Sequence, residues 1–133
     1  MNISIPVGLG ELYDKISILE IKSSRIAHEG KLAFVHKELE QLRKIAEMNP
    51  TDPKLYAQLK EANESLWEIE DAIRVQESKK DFGDAFIRLA RSVYVTNDRR
   101  AEIKKAINLT SGSEIVEVKS YAPYGEEGDA RVR

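Results

Sequence analysis

The stretch Lys31–Lys79, KLAFVHKELEQLRKIAEMNPTDPKLYAQLKEANESLWEIEDAIRVQESK, decides the fold. Leu32, Val35, Leu39, Leu42 and Ala46 recur at helical spacing, and Leu55, Leu59, Ala62, Leu66, Ile69, Ile73 and Gln76 follow a heptad rhythm. That period gathers the apolar side chains of each run on one narrow face of an α-helix. Between the runs lies Met48-Asn49-Pro50-Thr51-Asp52-Pro53. Pro50 disfavours helical backbone at Asn49, Asp52 offers a carboxylate to the orphan amides of the next helix, and Pro53 suits its first position. A connection this short predicts antiparallel neighbours sharing a seam, with Leu42 near Leu59, Leu39 near Ala62, Val35 near Leu66 and Leu32 near Ile69.

Working outward, Ile3, Ile5 and Val7 alternate with polar residues and Pro6, which reads as a short edge strand that Gly8 and Gly10 end. From Leu9 to about His28 a helix carries Leu12, Ile16, Leu19, Ser23 and Ile26 on one face, with Ile18 and Ile21 widening it to the side. The register slips at Gly30, so one bent helix or two nearly collinear ones are expected across it. Beyond the hairpin, Asp81 can cap a third helix that ends near Asn108, before Thr110-Ser111-Gly112-Ser113. EIVEVKSY, Glu114–Tyr121, reads as a second strand paired with the first. The expected fold is mainly α: a long antiparallel helical hairpin, a third helix against its open end and a small two-stranded terminal β ribbon. Residues 1–123 form a single helical domain around the hairpin 31–79, and 124–133 a disordered tail. The distal hairpin, Lys37–Gln58, projects past the third helix with Leu39, Leu42, Leu55 and Leu59 poorly shielded, so self-association as a coiled-coil homodimer is the expected remedy.

Composition removes several classes of function. The chain has no cysteine, which excludes disulfides and thiolate metal sites. No uncharged span approaches the ~18 residues a membrane crossing needs, and MNISIPVGLGELYDK lacks the marks of a signal peptide, so a soluble cytoplasmic protein with no membrane contact is expected. With 21 basic and 23 acidic residues the net charge of -2 is too balanced to imply a specific nucleic-acid partner. His28 and His36 stand about 12 Å apart along a helix, too far to share an ion, so no metal is expected. No phosphate loop or nucleophile elbow is present, and no cofactor is called for.

Charge is nonetheless unevenly placed. Glu61–Glu77 holds six acids and one base, whereas Arg88–Lys105 holds six bases and two acids. Either the two segments face each other or a sister chain, or the arginines form an anion site in which Tyr94 and Asn97 add directional donors. The candidate ligand-binding set is Asp14, Glu20, Arg25, Arg91, Tyr94, Asn97, Arg99 and Arg100. Glu20 and Asn97 interrupt apolar stripes and Asp14 and Arg25 flank one, so each carboxylate either finds a structural cation or is tuned for acid-base work.

GELYDKISILEIKSSRI (Gly10–Ile26), LWEIEDAIR (Leu66–Arg74) and FIRLARSVYVTNDRRAEIKKAIN (Phe86–Asn108) with the trailing EIVEVKSY resemble a family of small bacterial and phage proteins classed as a domain of unknown function. The resemblance covers about residues 3 to 124 and implies an accessory role alongside surface-polysaccharide or glycosyltransferase proteins, near nucleotide sugars. A fainter similarity joins Asp14-Lys15-Ile16 through Leu19 to Arg25 with the first helix of the all-helical chorismate mutases. The departures are Leu9 and Gly10 where that family needs an arginine, and His36 where it needs a lysine. The reading is a non-enzymatic helical interaction or assembly module whose partner is a second copy, or another protein of a polysaccharide pathway. Its alternative is a binder of, or enzyme for, an anionic metabolite such as a nucleotide sugar.

Overall fold

The computed structural model describes residues 1–112, 115 and 117–124. Four helices follow one another, α1 (Leu9–Arg25), α2 (Glu29–Glu47), α3 (Pro53–Ser78) and α4 (Asp84–Ser111). Local chemistry sets their ends. Asp52 accepts from the Lys54 amide at 2.9 Å with Pro53 opening α3, as its sequence requires. His28 does the same for α2 through Nδ1, 3.2 Å from the Lys31 amide. Asp81 accepts from the Gly83 amide at 3.1 Å, which turns the chain one step before α4 rather than capping it. Gly112 ends α4 at φ 70, the left-handed conformation that glycine adopts without steric cost.

α1 is the element around which the others pack. The Tyr13 hydroxyl, near its start, donates to the Ala46 carbonyl in the last turn of α2 and to the Asn49 carbonyl just past it, at 3.2 and 2.7 Å, so these two helices run antiparallel. Gly10 likewise meets Asn108 near the end of α4, whereas Tyr13 meets Tyr56 early in α3 and Arg25 meets Glu68 further on. α1 is therefore antiparallel to α2 and α4 and parallel to α3.

The expected hairpin across 31–79 does not form. No Cα of α2 comes within 8 Å of a Cα in α3 or α4. Val35 and Leu39 are buried, as their spacing demands, but against Leu12, Ile16 and Leu19 of α1. Leu59 and Ala62 are buried against Ile103 and Ile107 of α4. The two hairpins are thus α1–α2 and α3–α4, and the third helix of the sequence reading lies along α3 rather than against an open end. The reversal between α1 and α2 falls at Ile26-Ala27-His28, where Ile26 is extended, so the bent or collinear helix is replaced by two antiparallel ones. Gly30 sits inside the first turn of α2, where its low helix propensity costs little.

The described residues contain no β-strand, so the terminal ribbon is not found among them. The N-terminal segment lies beside α1 and α2, over a groove of about 1230 Å³ lined by Leu12, Phe34, Leu42 and Ile45. Of the other expected strand, Glu114 and Val116 lie outside the described residues; Glu117 accepts from Lys104 and, further on, Tyr124 donates to Asp98, so the described part runs back along α4. Side-chain partners on a helix have replaced backbone partners on a strand. Of the expected tail, Tyr124 packs edge-on against Tyr94 at 5.2 Å, and residues 125–133 lie outside the described residues.

Helix lengths create the projecting arm, though not at Lys37–Gln58. α1 has 17 residues against 26 in α3 and 28 in α4. At 1.5 Å per residue α1 ends roughly 15 Å short of its neighbours, and α3–α4 continue past it as a two-helix arm.

Candidate functional site

A second stripe on α1, Gly10, Asp14, Ser17 and Ile21, is buried against the α3–α4 pair. Its small and polar residues permit a close approach. A Cβ at Gly10 would stand 2.5 Å from the Lys104 carbonyl oxygen and 3.1 Å from Asn108 Oδ1, which leaves room for glycine alone. The same approach completes the start of α1. Gly8 has no side chain to cap the helix, and Asn108 Oδ1 accepts from the Gly10 amide at 2.8 Å in its place.

One helical turn on, Asp14 is the centre of a buried polar cluster. Arg100 grips it with two donors, Nε to Oδ1 at 2.8 Å and Nη2 to Oδ2, in the fork geometry that suits a carboxylate. Asn63 of α3 donates through Nδ2 to Asp14 Oδ1 at 2.9 Å and to Ser17 Oγ at 2.7 Å, and Ser17 donates to the Asp14 carbonyl at 2.7 Å. Lys104, itself buried, places Nζ 2.8 Å from Glu11, 3.3 Å from Glu117 and 3.9 Å from Asp14. Three helices and the C-terminal segment meet at these charges.

The electrostatics follow from that geometry. Burial pushes the Asp14 carboxyl up, but hydrogen bonds from Arg100 and Asn63 and the charges of Arg100 and Lys104 outweigh it and hold the group below its ordinary value. Its hydrogen bond to Asp14 raises Arg100. Burial alone would lower Lys104, and Glu11, Asp14 and Glu117 together raise it instead. Glu117 is lowered, burial being overcome by Lys104 and Lys119. Asp14, Arg100, Lys104 and Glu117 are thereby held in their charged forms near neutrality.

The structure brings together only part of the candidate set. Asp14 and Arg100 pair directly, Asn97 Oδ1 lies 3.5 Å from Arg100 Nη1, and Tyr94 packs on Tyr124 one turn away. Glu20 points to the other side of α1, where Arg43 of α2 donates to it at 3.0 Å. Arg25 pairs with Glu68 and lies 5.8 Å above the Trp67 ring. Arg99 pairs with Glu61 at 3.2 Å on the exposed side of α3–α4. Arg91 is exposed, with no ion-pair partner among the described residues. Ser17, Asn63, Lys104, Asn108, Glu11 and Glu117 were not in the set. Their signal was spacing: Gly10, Asp14 and Ser17 share a face at helical intervals, and so do Arg100, Lys104 and Asn108.

Chemically, the cluster is saturated. Two cations meet three carboxylates, and the Arg100 fork is occupied by Asp14, so the cluster's own guanidinium is not open to an incoming anion. Among the described residues no three His, Cys, Asp or Glu side chains stand where they could hold a metal ion, and no helix is long and apolar enough to cross a membrane. What the arrangement does is fix α1 in one register against α3 and α4, and the cluster's residues span most of the chain.

A family model for a family of unknown function, DUF6165, matches residues 2–126. The chain belongs to that family. No curated protein matches the chain, and no solved structure does. The DUF6165 match takes in all four helices and the segment carrying Glu117 and Tyr124.

Proposed function

We propose that this protein is a non-enzymatic helical assembly module that associates with a second copy of itself. One observation carries the reading. Where α1 covers the α3–α4 pair, the seam is sealed, with Leu59, Ala62 and Ile107 at 0 % exposure and Ile103 at 8 %. Past Arg25, which reaches Glu68, the same seam continues through Ile69, Ile73 and Leu89, and none of these is buried. Val75, Phe82, Ile87 and Val95 stand about half exposed on the same arm. A two-helix arm with a half-dry seam is stable once another apolar surface completes it.

The competing reading, a binder of an anionic metabolite, draws less support. Arg25, Arg99, Arg100 and Lys104 already hold carboxylates. Denaturation followed at a series of protein concentrations, with and without sugar nucleotides, separates the two. Self-association raises the midpoint with protein concentration, since mass action favours the assembled form. A metabolite binder would shift with one ligand class and show no concentration dependence.

A further inference from the structure

Resting on that self-association, the geometry points to its interface: the open upper part of the α3–α4 groove, occupied by the same groove of a second copy turned about a two-fold axis. α1 marks the groove's lower half. On α3 its side is lined by Asn63, which bonds to Asp14, and by Trp67, which meets Arg25. One and two turns further along that stripe stand Glu70 and Arg74. On α4 the stripe of Lys104 and Arg100, both bonded to α1, continues through Asn97, Val93 and Phe86. Everything needed to seat a helix therefore runs on for about 15 Å after α1 has ended.

The charges lining this extension select the occupant. Glu70 and Arg74 pair with each other at 3.1 Å, with side chains 50 % and 78 % exposed. Two α3 helices crossing antiparallel, with the axis midway between these residues, place each Glu70 opposite the partner's Arg74 and each Arg74 opposite the partner's Glu70. The pair is self-complementary under a two-fold rotation, which is the condition for an isologous contact. The antiparallel two-fold arrangement also spares α1: each arm lies above the other copy's α1 and takes over the cover that α1 gives lower down. The arm is short, so the interface falls at the small end of specific interfaces.

The test uses Glu70→Arg and Arg74→Glu in the full chain, each checked for an intact helical spectrum, with sedimentation velocity on each variant alone and on their equimolar mixture. In a homodimer of either variant four like charges crowd around the axis, and dimerisation weakens by on the order of tenfold or more. In the mixture opposite charges face each other again, and a heterodimer of near wild-type affinity forms. The pairing within one helix cannot give that rescue, because neither chain regains its own partner. Wild-type-like dimers from both variants would place the interface elsewhere while leaving self-association intact. Weakened variants without rescue would rule out the antiparallel register. A wild type that stays monomeric would remove the underlying reading and this one with it.

Discussion

Asp14→Ala is the substitution whose cost the structure defines best. The carboxylate is 2 % exposed and accepts from Arg100 twice and from Asn63 once, with Lys104 at 3.9 Å. Breaking a buried ion pair from one side costs about 3–5 kcal/mol, because the stranded partner has lost its solvent as well as its counter-charge. Two features of this site set the value within that range. The Arg100 side chain is 27 % exposed and Lys104 keeps Glu11 and Glu117, so both cations retain some compensation. Asn63 keeps Ser17 as acceptor but loses Asp14, adding about 1 kcal/mol. The expectation is a loss of about 3–4 kcal/mol, read in urea as a fall in midpoint of roughly 2 M with the slope unchanged. Asp14→Leu combined with Arg100→Met removes both charges and recovers most of that loss, since the pair's attraction is largely spent on its desolvation. A fall of less than about 1 kcal/mol for Asp14→Ala would show that the cluster does not hold the helices together.

Four further outcomes follow from the same structure. The Asp14 carboxyl titrates below its unfolded value, so its contribution is present above about pH 4 and is lost as pH falls through the folded value; acid titration of wild type against Asp14→Ala isolates that limb. Gly10→Ala should destabilise by about 1–3 kcal/mol despite alanine's better helix propensity, because the new methyl meets a backbone carbonyl that cannot rotate away, and a stabilised variant would contradict the close approach. Leu59→Ala, at a position with no exposure, should cost about 2–5 kcal/mol at every protein concentration, whereas Ile73→Ala should cost less at high dilution and more as concentration rises. Arg91→Gln, on an exposed residue, should change stability by no more than about 0.5 kcal/mol by chemical denaturation.

Much of the secondary structure was legible because it is local. The Asp52-Pro53 start of α3 and the apolar periodicities are written within a few residues of where they act, and the helices appear there. Helix pairing was not legible, since Val35 and Leu39 fit the stripe of α1 as well as that of α3, and spacing names a face without naming its partner. The surface α1 turns to α3 and α4 was hidden for another reason. Its members are Gly10, Asp14 and Ser17, and a search for apolar stripes passes over a contact made by small size and hydrogen bonds. Asp14 was singled out as a carboxylate flanking an apolar stripe and Arg100 as one of the bases of Arg88–Lys105, yet 86 positions separate them, and their pairing depends on the tertiary approach of α1 to α4. The ribbon is absent among the described residues for a similar reason: the segment has strand-forming residues, but the carboxylate of Glu117 and, three residues past its end, the hydroxyl of Tyr124 find partners on α4.

Sedimentation equilibrium of the wild-type chain, from about 1 to about 200 µM, bears most directly on the central claim, because mass action makes a self-associating chain's mass climb with concentration. The weight-average mass should climb from the monomer value of 15.1 kDa toward twice that value and stop there, as closed two-fold association requires. A mass that stays at 15.1 kDa across the whole range would contradict the account.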